Sequence, residues 1–183
     1  MSTHRLHTKT NEVFHCTLTG YQWLALFEQA QAYPAVYKWF DHLLKDGCCI
    51  LAYMIMPNHL YCLLSPTHPS KPLNLLFSEG KRFMAYAIVK DIKKQADVRL
   101  LQVIEGGVQE NERQKGKKHQ VFRLSFDSRK CFDMQMIEHK LDYIHHNPVC
   151  GKWELVKDFT SAAYYELGLA NNYVTHYKDL ALT

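Results

Sequence analysis

The feature that most constrains the fold is a pair of apolar segments joined by a very short polar turn, within residues 48–64. The segments read CCILAYMIM and LYCLL, and Pro57-Asn58-His59 forms the turn between them. Short apolar runs on either side of a Pro-Asn turn predict two adjacent antiparallel strands. Further elements must cover this hairpin, because a two-stranded hairpin on its own is marginally stable in water.

The segments around the hairpin predict a small α+β domain. Residues 12–19 predict a strand, and residues 21–45 predict a helix interrupted at Pro34. Residues 73–95 and 133–147 predict two more helices, 99–104 and 120–126 are candidate strands, and 106–119 is a predicted flexible loop. The order β-α-β-β-α-β-α is typical of a ferredoxin-like (split βαβ) antiparallel sheet with helices on one face.

Length and composition narrow the class of protein. The 183 residues predict one domain, with a core at about 11–166 and a C-terminal tail at 167–183. No apolar run approaches the roughly 20 residues of a membrane-spanning helix, and the polar N-terminus does not resemble a signal peptide. The six scattered cysteines predict reduced thiols. A cytoplasmic protein without membrane contact is therefore expected, and both a monomer and a homodimer are compatible with the sequence.

Positive charge is concentrated in the middle of the chain. Residues 71–130 contain 14 Lys and Arg against 7 Asp and Glu, whereas the whole chain has a net charge of only +4. Such a region is typical of a surface that binds a polyanion through phosphate contacts. The predicted DNA-binding residues are Lys81, Arg82, Lys93, Lys94, Lys115, Lys117 and Lys118.

A second motif, KLDYIHHNPV, lies at residues 140–149 on the last predicted helix. Helical periodicity places Tyr143, His146 and Asn147 along one stripe. A phenol, an imidazole and a carboxamide in one row are unusual for a core face, although Tyr143 could equally be an amphipathic core residue and Asn147 a helix cap. From this helix alone, both readings stay open.

Taken together, the strand-borne MPNH and the helix-borne YIHHNP, followed by DFTSAAYYE, resemble the single-tyrosine HUH transposases. Within them the chain is most similar to the group that includes the REP-associated tyrosine transposases. The resemblance covers roughly residues 11–166, and residues 80–94 also resemble the second helix of that family. It implies an HUH endonuclease-type fold.

The resemblance also implies an activity and residue roles. Such a protein would cleave and rejoin single-stranded or hairpin DNA through a 5′-phosphotyrosine intermediate, with a divalent metal such as Mg²⁺ or Mn²⁺. By motif, His59 is the first metal ligand, Tyr143 is the nucleophile and Asn147 is the third ligand. A metal would polarise the scissile phosphate, which matters because a phenol with a pKa of about 10 is a weak nucleophile at neutral pH.

The sequence departs from the family pattern at Tyr61, where a second histidine is expected on the same face of the strand as His59. Three explanations are open: the site is degenerate, His146 supplies the second imidazole, or the metal relies on His59, Asn147 and the substrate phosphate with Tyr61 as a weak ligand at most. His15 on the first strand is a further candidate ligand. The alternative function is a catalytically inactive, domesticated DNA- or RNA-binding module.

Overall fold

The structure, a computed structural model, describes residues 12–124 and 127–149. The predicted C-terminal tail lies outside these residues. Four strands and six α-helices follow one another in this part of the chain. They are β1 (Val13–Thr19), α1 (Leu26–Gln29), α2 (Tyr33–Lys45), β2 (Cys48–Ile55), β3 (His59–Pro66), α3 (Leu73–Lys94), α4 (Val98–Gly106), α5 (Glu110–Arg113), β4 (Asp127–Cys131) and α6 (Met134–His146), with a 3-10 turn at Tyr21–Trp23 after β1.

The strands form one antiparallel sheet in the order β2-β3-β1-β4. The predicted α+β class, the hairpin at Pro57–His59 and the ferredoxin-like plan are therefore confirmed. In this plan the chain brings β1 and β3 side by side at the centre, while β2 and β4 form the edges. Residues at the centre of the sheet are thus surrounded by strands on both sides.

Both faces of the sheet are covered, and in this detail the expectation of helices on one face is wrong. The larger core lies between one face and the helices α2 and α3, and includes Phe14, Leu60 and Phe40. The other face packs against α6 through Leu63, Ile137 and neighbouring side chains. Strand alternation sends Leu60 to the first face and its neighbour Tyr61 to the second. The hairpin strands are almost fully buried because both of their faces are covered.

The helices α2 and α3 approach each other closely at Gly80. A Cβ atom on this glycine would collide with the indole of Trp39, whose Nε1 donates to the carbonyl oxygen of Leu76 at 3.3 Å. Gly47 follows the C-cap residue Asp46 of α2, and its φ of 71° is the left-handed conformation that favours glycine at this position. These contacts fix α3 beside the sheet and so determine where its basic face lies.

Three local predictions are wrong. Residues 99–104, a candidate strand, lie in α4, which begins at the N-cap Asp97 and buries Leu100 and Ile104 on one side. Residues 106–119 were expected to be a loop but contain α5 and a series of hydrogen-bonded turns. In the candidate strand 120–126, the described part 120–124 contributes one bridge, between Phe122 and Gly20, and the fourth strand follows at β4. In the described residues, no helix is both long and apolar enough to cross a membrane.

Candidate functional site

Strand β3 places His59 and Tyr61 side by side on the sheet face that α6 covers. They are two residues apart and pair with Thr19 and Thr17 of β1, so both side chains point the same way. Their ring centroids are 4.5 Å apart with planes at 75°. His59 is 5% and Tyr61 8% exposed. The opening of β3 thus carries a small polar cluster inside a largely apolar interface.

Helix α6 brings Tyr143 onto this cluster. The hydroxyl oxygens of Tyr61 and Tyr143 are 2.9 Å apart, a hydrogen bond in which either can donate. The two rings meet edge to face, with centroids 5.3 Å apart. Because Ile137 and Ile144 anchor α6 against the sheet, Tyr143 lies at the rim of that interface and keeps 42% of its surface exposed. Three of the predicted site residues, His59, Tyr61 and Tyr143, therefore share one location.

The tautomer of His59 follows from its neighbour. The Nδ1 atom of His59 lies 2.6 Å from the side-chain oxygen of Asn58, which can only accept, so Nδ1 carries the proton. Burial lowers the pKa of His59 to about 4, so the ring is neutral at pH 7. Its Nε2 is buried and has no hydrogen-bond partner among the described residues. A lone pair held by a fixed tautomer is suited to a divalent metal.

A second buried histidine, His15 on β1, adjoins the cluster. Its ring stacks on Tyr61 with centroids 5.6 Å apart and meets Tyr143 edge-on at 6.0 Å. Burial, and then the positive charge of Lys140, lower the pKa of His15 to about 4, against the opposing effect of Asp127. Its Nε2 also lacks a hydrogen-bond partner among the described residues. The sequence placed His15 only on the first strand; the register, which pairs Thr17 with Tyr61, puts His15 on the same face as Tyr61, and the ring contact joins the two.

Tyr61 does not fit the role of an anionic metal ligand. Burial, and then its hydrogen bond with Tyr143, raise the pKa of Tyr61 well above its ordinary value, so the phenol keeps its proton. The described residues contain no group of three or more His, Cys, Asp or Glu side chains placed to hold a metal. Of the two β3 side chains, only His59 therefore offers a donor atom suited to a metal, and a histidine beside a phenol takes the place of the two-histidine arrangement implied by the resemblance.

The other two predicted ligands lie at the C-terminal end of α6. The side-chain amide nitrogen of Asn147 donates to the backbone carbonyl of Tyr143 at 2.7 Å, which caps the helix. His146 is exposed at the last helical position. Asn147 thus fixes the backbone that carries Tyr143, and its role as a ligand stays a prediction.

Six of the seven predicted DNA-binding residues line one cavity of about 780 Å³, called the basic groove below. It lies between α3 and residues 115–124, and these six are Lys81, Arg82, Lys93, Lys115, Lys117 and Lys118. Arg123, which the sequence did not single out, also lines it, and no acidic side chain is among the described residues that do. Lys94 lies outside it and pairs with Asp91 at 3.5 Å.

The groove concentrates like charges. Burial, and then the positive charge of Lys117, lower the pKa of Lys81 to about 8. Lys81 also donates to the backbone carbonyl of Arg123 at 3.0 Å, which ties α3 to residues 115–124. Lys117 forms an ion pair with Glu112, and the other five predicted cations of the groove line the same cavity. Such a surface favours a ligand with several negative charges.

No protein-family model and no curated protein sequence matches this chain. Among solved structures, the chain is similar to a REP-associated tyrosine transposase bound to a REP hairpin. The TM-score is 0.63 at 16% sequence identity, and the match covers 96% of this chain and 89% of the other. At this identity the comparison concerns the backbone, whose four-stranded antiparallel sheet and helices are shared. The chain therefore has the fold of a REP-associated tyrosine transposase.

Proposed function

We propose that this protein binds hairpin DNA with a single-stranded flank and cleaves the strand through Tyr143. The observation that carries the proposal is the position of Tyr143, an exposed phenol hydrogen-bonded to Tyr61, whose own ring contacts the neutral, buried His59. A phenol with only a packing role needs neither the exposure nor the polar neighbours. The similarity to a transposase bound to a hairpin supports the same conclusion.

Binding would rest on the basic groove. Its lysines and arginines suit a phosphate backbone, and contacts of this kind give affinity without reading sequence. Binding should therefore weaken steeply as salt rises, because phosphate contacts release counterions. A structured single strand fits better than a plain duplex, since a nucleophile must reach one phosphate of an accessible strand.

The chemistry would be a transesterification. The phenol oxygen of Tyr143 attacks the phosphorus, the bond from phosphorus to the 3′ oxygen breaks, and the leaving oxygen takes a proton from water. The phenol proton passes to solvent, to which Tyr143 is open. The phosphate stays on the 5′ side of the downstream strand as a phosphotyrosine, so the reverse reaction can join strands without ATP.

Tyr61 and Asn147 would position the nucleophile. Since Tyr61 keeps its proton, its hydroxyl can donate to the Tyr143 oxygen and stabilise the negative charge that develops there. Asn147 holds the backbone of Tyr143 at the end of α6. A divalent ion bound by His59 would supply charge neutralisation at the scissile phosphate.

The test uses a hairpin oligonucleotide with a single-stranded flank and a fluorophore at its 3′ end. This end stays with the strand that becomes attached to the protein, so denaturing gels show a shifted protein band. We expect the shifted band for the wild type with Mn²⁺ and its loss in Tyr143→Phe. The matched control is Tyr33→Phe, which removes the phenol oxygen of a half-buried tyrosine at the start of α2, packed against the larger core and outside the basic groove, and should leave the band unchanged.

A second function, a binding module without chemistry, is favoured by one observation: Tyr61 stands where the resemblance implies a histidine and does not fit a metal. This function predicts hairpin binding of the same affinity in the wild type and in Tyr143→Phe. It also predicts no covalent band under any metal condition. The gel assay therefore separates the two functions directly.

A further inference from the structure

An exposed indole links the basic groove to the Tyr143 cluster. Trp23 is 51% exposed and belongs to the 3-10 turn that follows β1. Its ring lies 6.2 Å from that of His59, with the two planes at 81°. The guanidinium carbon of Arg123, which lines the groove, lies 5.7 Å from the indole centroid. Trp23 is thus in contact range of both surfaces that the proposed function uses.

The backbone that presents Trp23 is strained. Gln22 and Trp23 have φ values of 49° and 60°, in the left-handed region that side-chain-bearing residues rarely adopt. Several hydrogen bonds hold the turn: Trp23 N–H donates to Gly20 at 3.2 Å, and the side-chain amide of Asn58 donates to the Trp23 carbonyl at 3.4 Å. Strained residues kept in place by their surroundings cluster at binding and catalytic sites.

The 3-10 turn that carries Trp23 is hydrogen-bonded to Asn58, the residue before β3. Asn58 donates through its amide nitrogen to the backbone carbonyl of Trp23 and accepts from His59 Nδ1 through its side-chain oxygen, so one side chain links the turn that carries the indole to the imidazole. Gly20 N–H donates to the Asn58 carbonyl at 2.8 Å, which joins the turn to the hairpin. An indole that only covers the protein surface would need no such arrangement, whereas a ring that must meet a ligand at a fixed distance from His59 would.

We propose that Trp23 is the stacking platform for one unpaired base of the DNA strand, next to the nucleotide whose phosphate Tyr143 attacks. The inference rests on the proposed function and adds the residue that selects unpaired DNA at that site. A tryptophan face stacks on any exposed base but not on a base inside a duplex. Arg123, beside the indole, is placed to contact the adjoining phosphate and to direct the strand into the basic groove.

The test is an abasic scan of the single-stranded flank, read by fluorescence anisotropy with a labelled hairpin. In the wild type, removing one particular flank base should weaken binding by roughly tenfold or more, the expected loss for one stacked base. In Trp23→Ala, the intact flank should bind as weakly as that abasic DNA does to the wild type. Removing the same base should then cost nothing further, because the two changes delete one contact.

Three controls make the result specific. Trp23→Phe should restore most of the affinity, whereas Trp23→Leu, which keeps apolar bulk without an aromatic face, should not. Phe132→Ala removes an aromatic side chain that is 77% exposed immediately after β4 and should leave binding unchanged. Thermal unfolding of each variant separates loss of binding from loss of folding, and Trp23→Phe compared with Trp23→Leu carries the test where Trp23→Ala is unstable.

The outcomes distinguish this inference from the proposed function. If the wild type does not bind the flanked hairpin, the proposed function fails and the platform fails with it. If the wild type binds and forms the covalent band, but Trp23→Ala and Trp23→Leu bind the flank as tightly, only the platform is refuted. The platform is likewise refuted if every abasic penalty seen with the wild type persists unchanged in Trp23→Ala.

Discussion

Replacing Tyr61 by histidine is the sharpest perturbation of the site. The side chain points toward His59, with the two ring centroids 4.5 Å apart, and strand alternation fixes this direction whichever residue stands there. Tyr61→His would therefore place a second imidazole beside the first. An imidazole is a better neutral ligand for Mn²⁺ than a protonated phenol, so metal affinity should rise.

The magnitudes follow from the contacts that change. We expect at least about tenfold tighter Mn²⁺ binding, which corresponds to about 1.4 kcal/mol. The substitution also deletes the hydrogen bond between Tyr61 and Tyr143, which should cost about 1 kcal/mol of folding stability in the absence of metal. Metal binding to the folded state would offset that loss at millimolar Mn²⁺.

The assay is calorimetric titration of Mn²⁺ into the wild type, Tyr61→His, and the double variant Tyr61→His with His59→Ala. The double variant should lose the gain, because one imidazole cannot form the pair. Equal affinity in the wild type and Tyr61→His would refute the reasoning, as would a double variant that binds as tightly as Tyr61→His. If His146 already completes the wild-type site, Tyr61→His adds little and His146→Ala abolishes binding.

Three further predictions concern the groove, the core and pH. Charge reversal of Lys115, Lys117 and Lys118 to Glu should weaken hairpin binding for all sequences alike and flatten its salt dependence, measured by anisotropy. Gly80→Ala should lower the free energy of unfolding by about 1–2 kcal/mol in urea titrations, because collision with Trp39 outweighs the better helix propensity of alanine. Burial lowers the folded-state pKa of His59 from 6.5 to about 4, so the unfolded chain takes up the proton first. Stability should therefore fall as pH drops from 6.5 to 4, and His59→Asn should reduce that slope.

The sequence predicts most of the sheet because local signals there agree with one another. The apolar runs on either side of Pro57–His59 leave few alternatives to a hairpin, and Asp133 marks the start of α6 as an N-cap that accepts from Met136. The sequence does not predict β4. This edge strand is largely exposed, so its sequence DSRKC is polar and lacks the apolar alternation of a buried strand. Helix α4 was taken for a strand, because the spacing of Leu100 and Ile104 was not recognised as one helical face.

The functional site could likewise be predicted only where it depends on local sequence. Strand alternation alone placed His59 and Tyr61 on one face, since that property is local. The contact of Tyr143 with Tyr61 joins residues 82 positions apart, and only the packing of α6 against the sheet creates it. The basic groove likewise depends on α3 meeting residues 115–124, so the sequence showed its charge but not its shape. Nothing in the sequence alone marked Trp23 or Arg123 as a functional residue.

The central claim is that Tyr143 becomes covalently linked to DNA, and mass spectrometry of the trapped adduct tests it most directly. Trypsin cleavage after Lys140 and Lys152 releases a peptide that contains Tyr143 as its one tyrosine, whereas Tyr61 lies in a separate peptide. After nuclease trimming, the account predicts a nucleotide mass on the Tyr143 peptide and on no other. A nucleotide on the peptide that carries Tyr61, or its absence from every tyrosine while hairpin binding persists, would contradict the account.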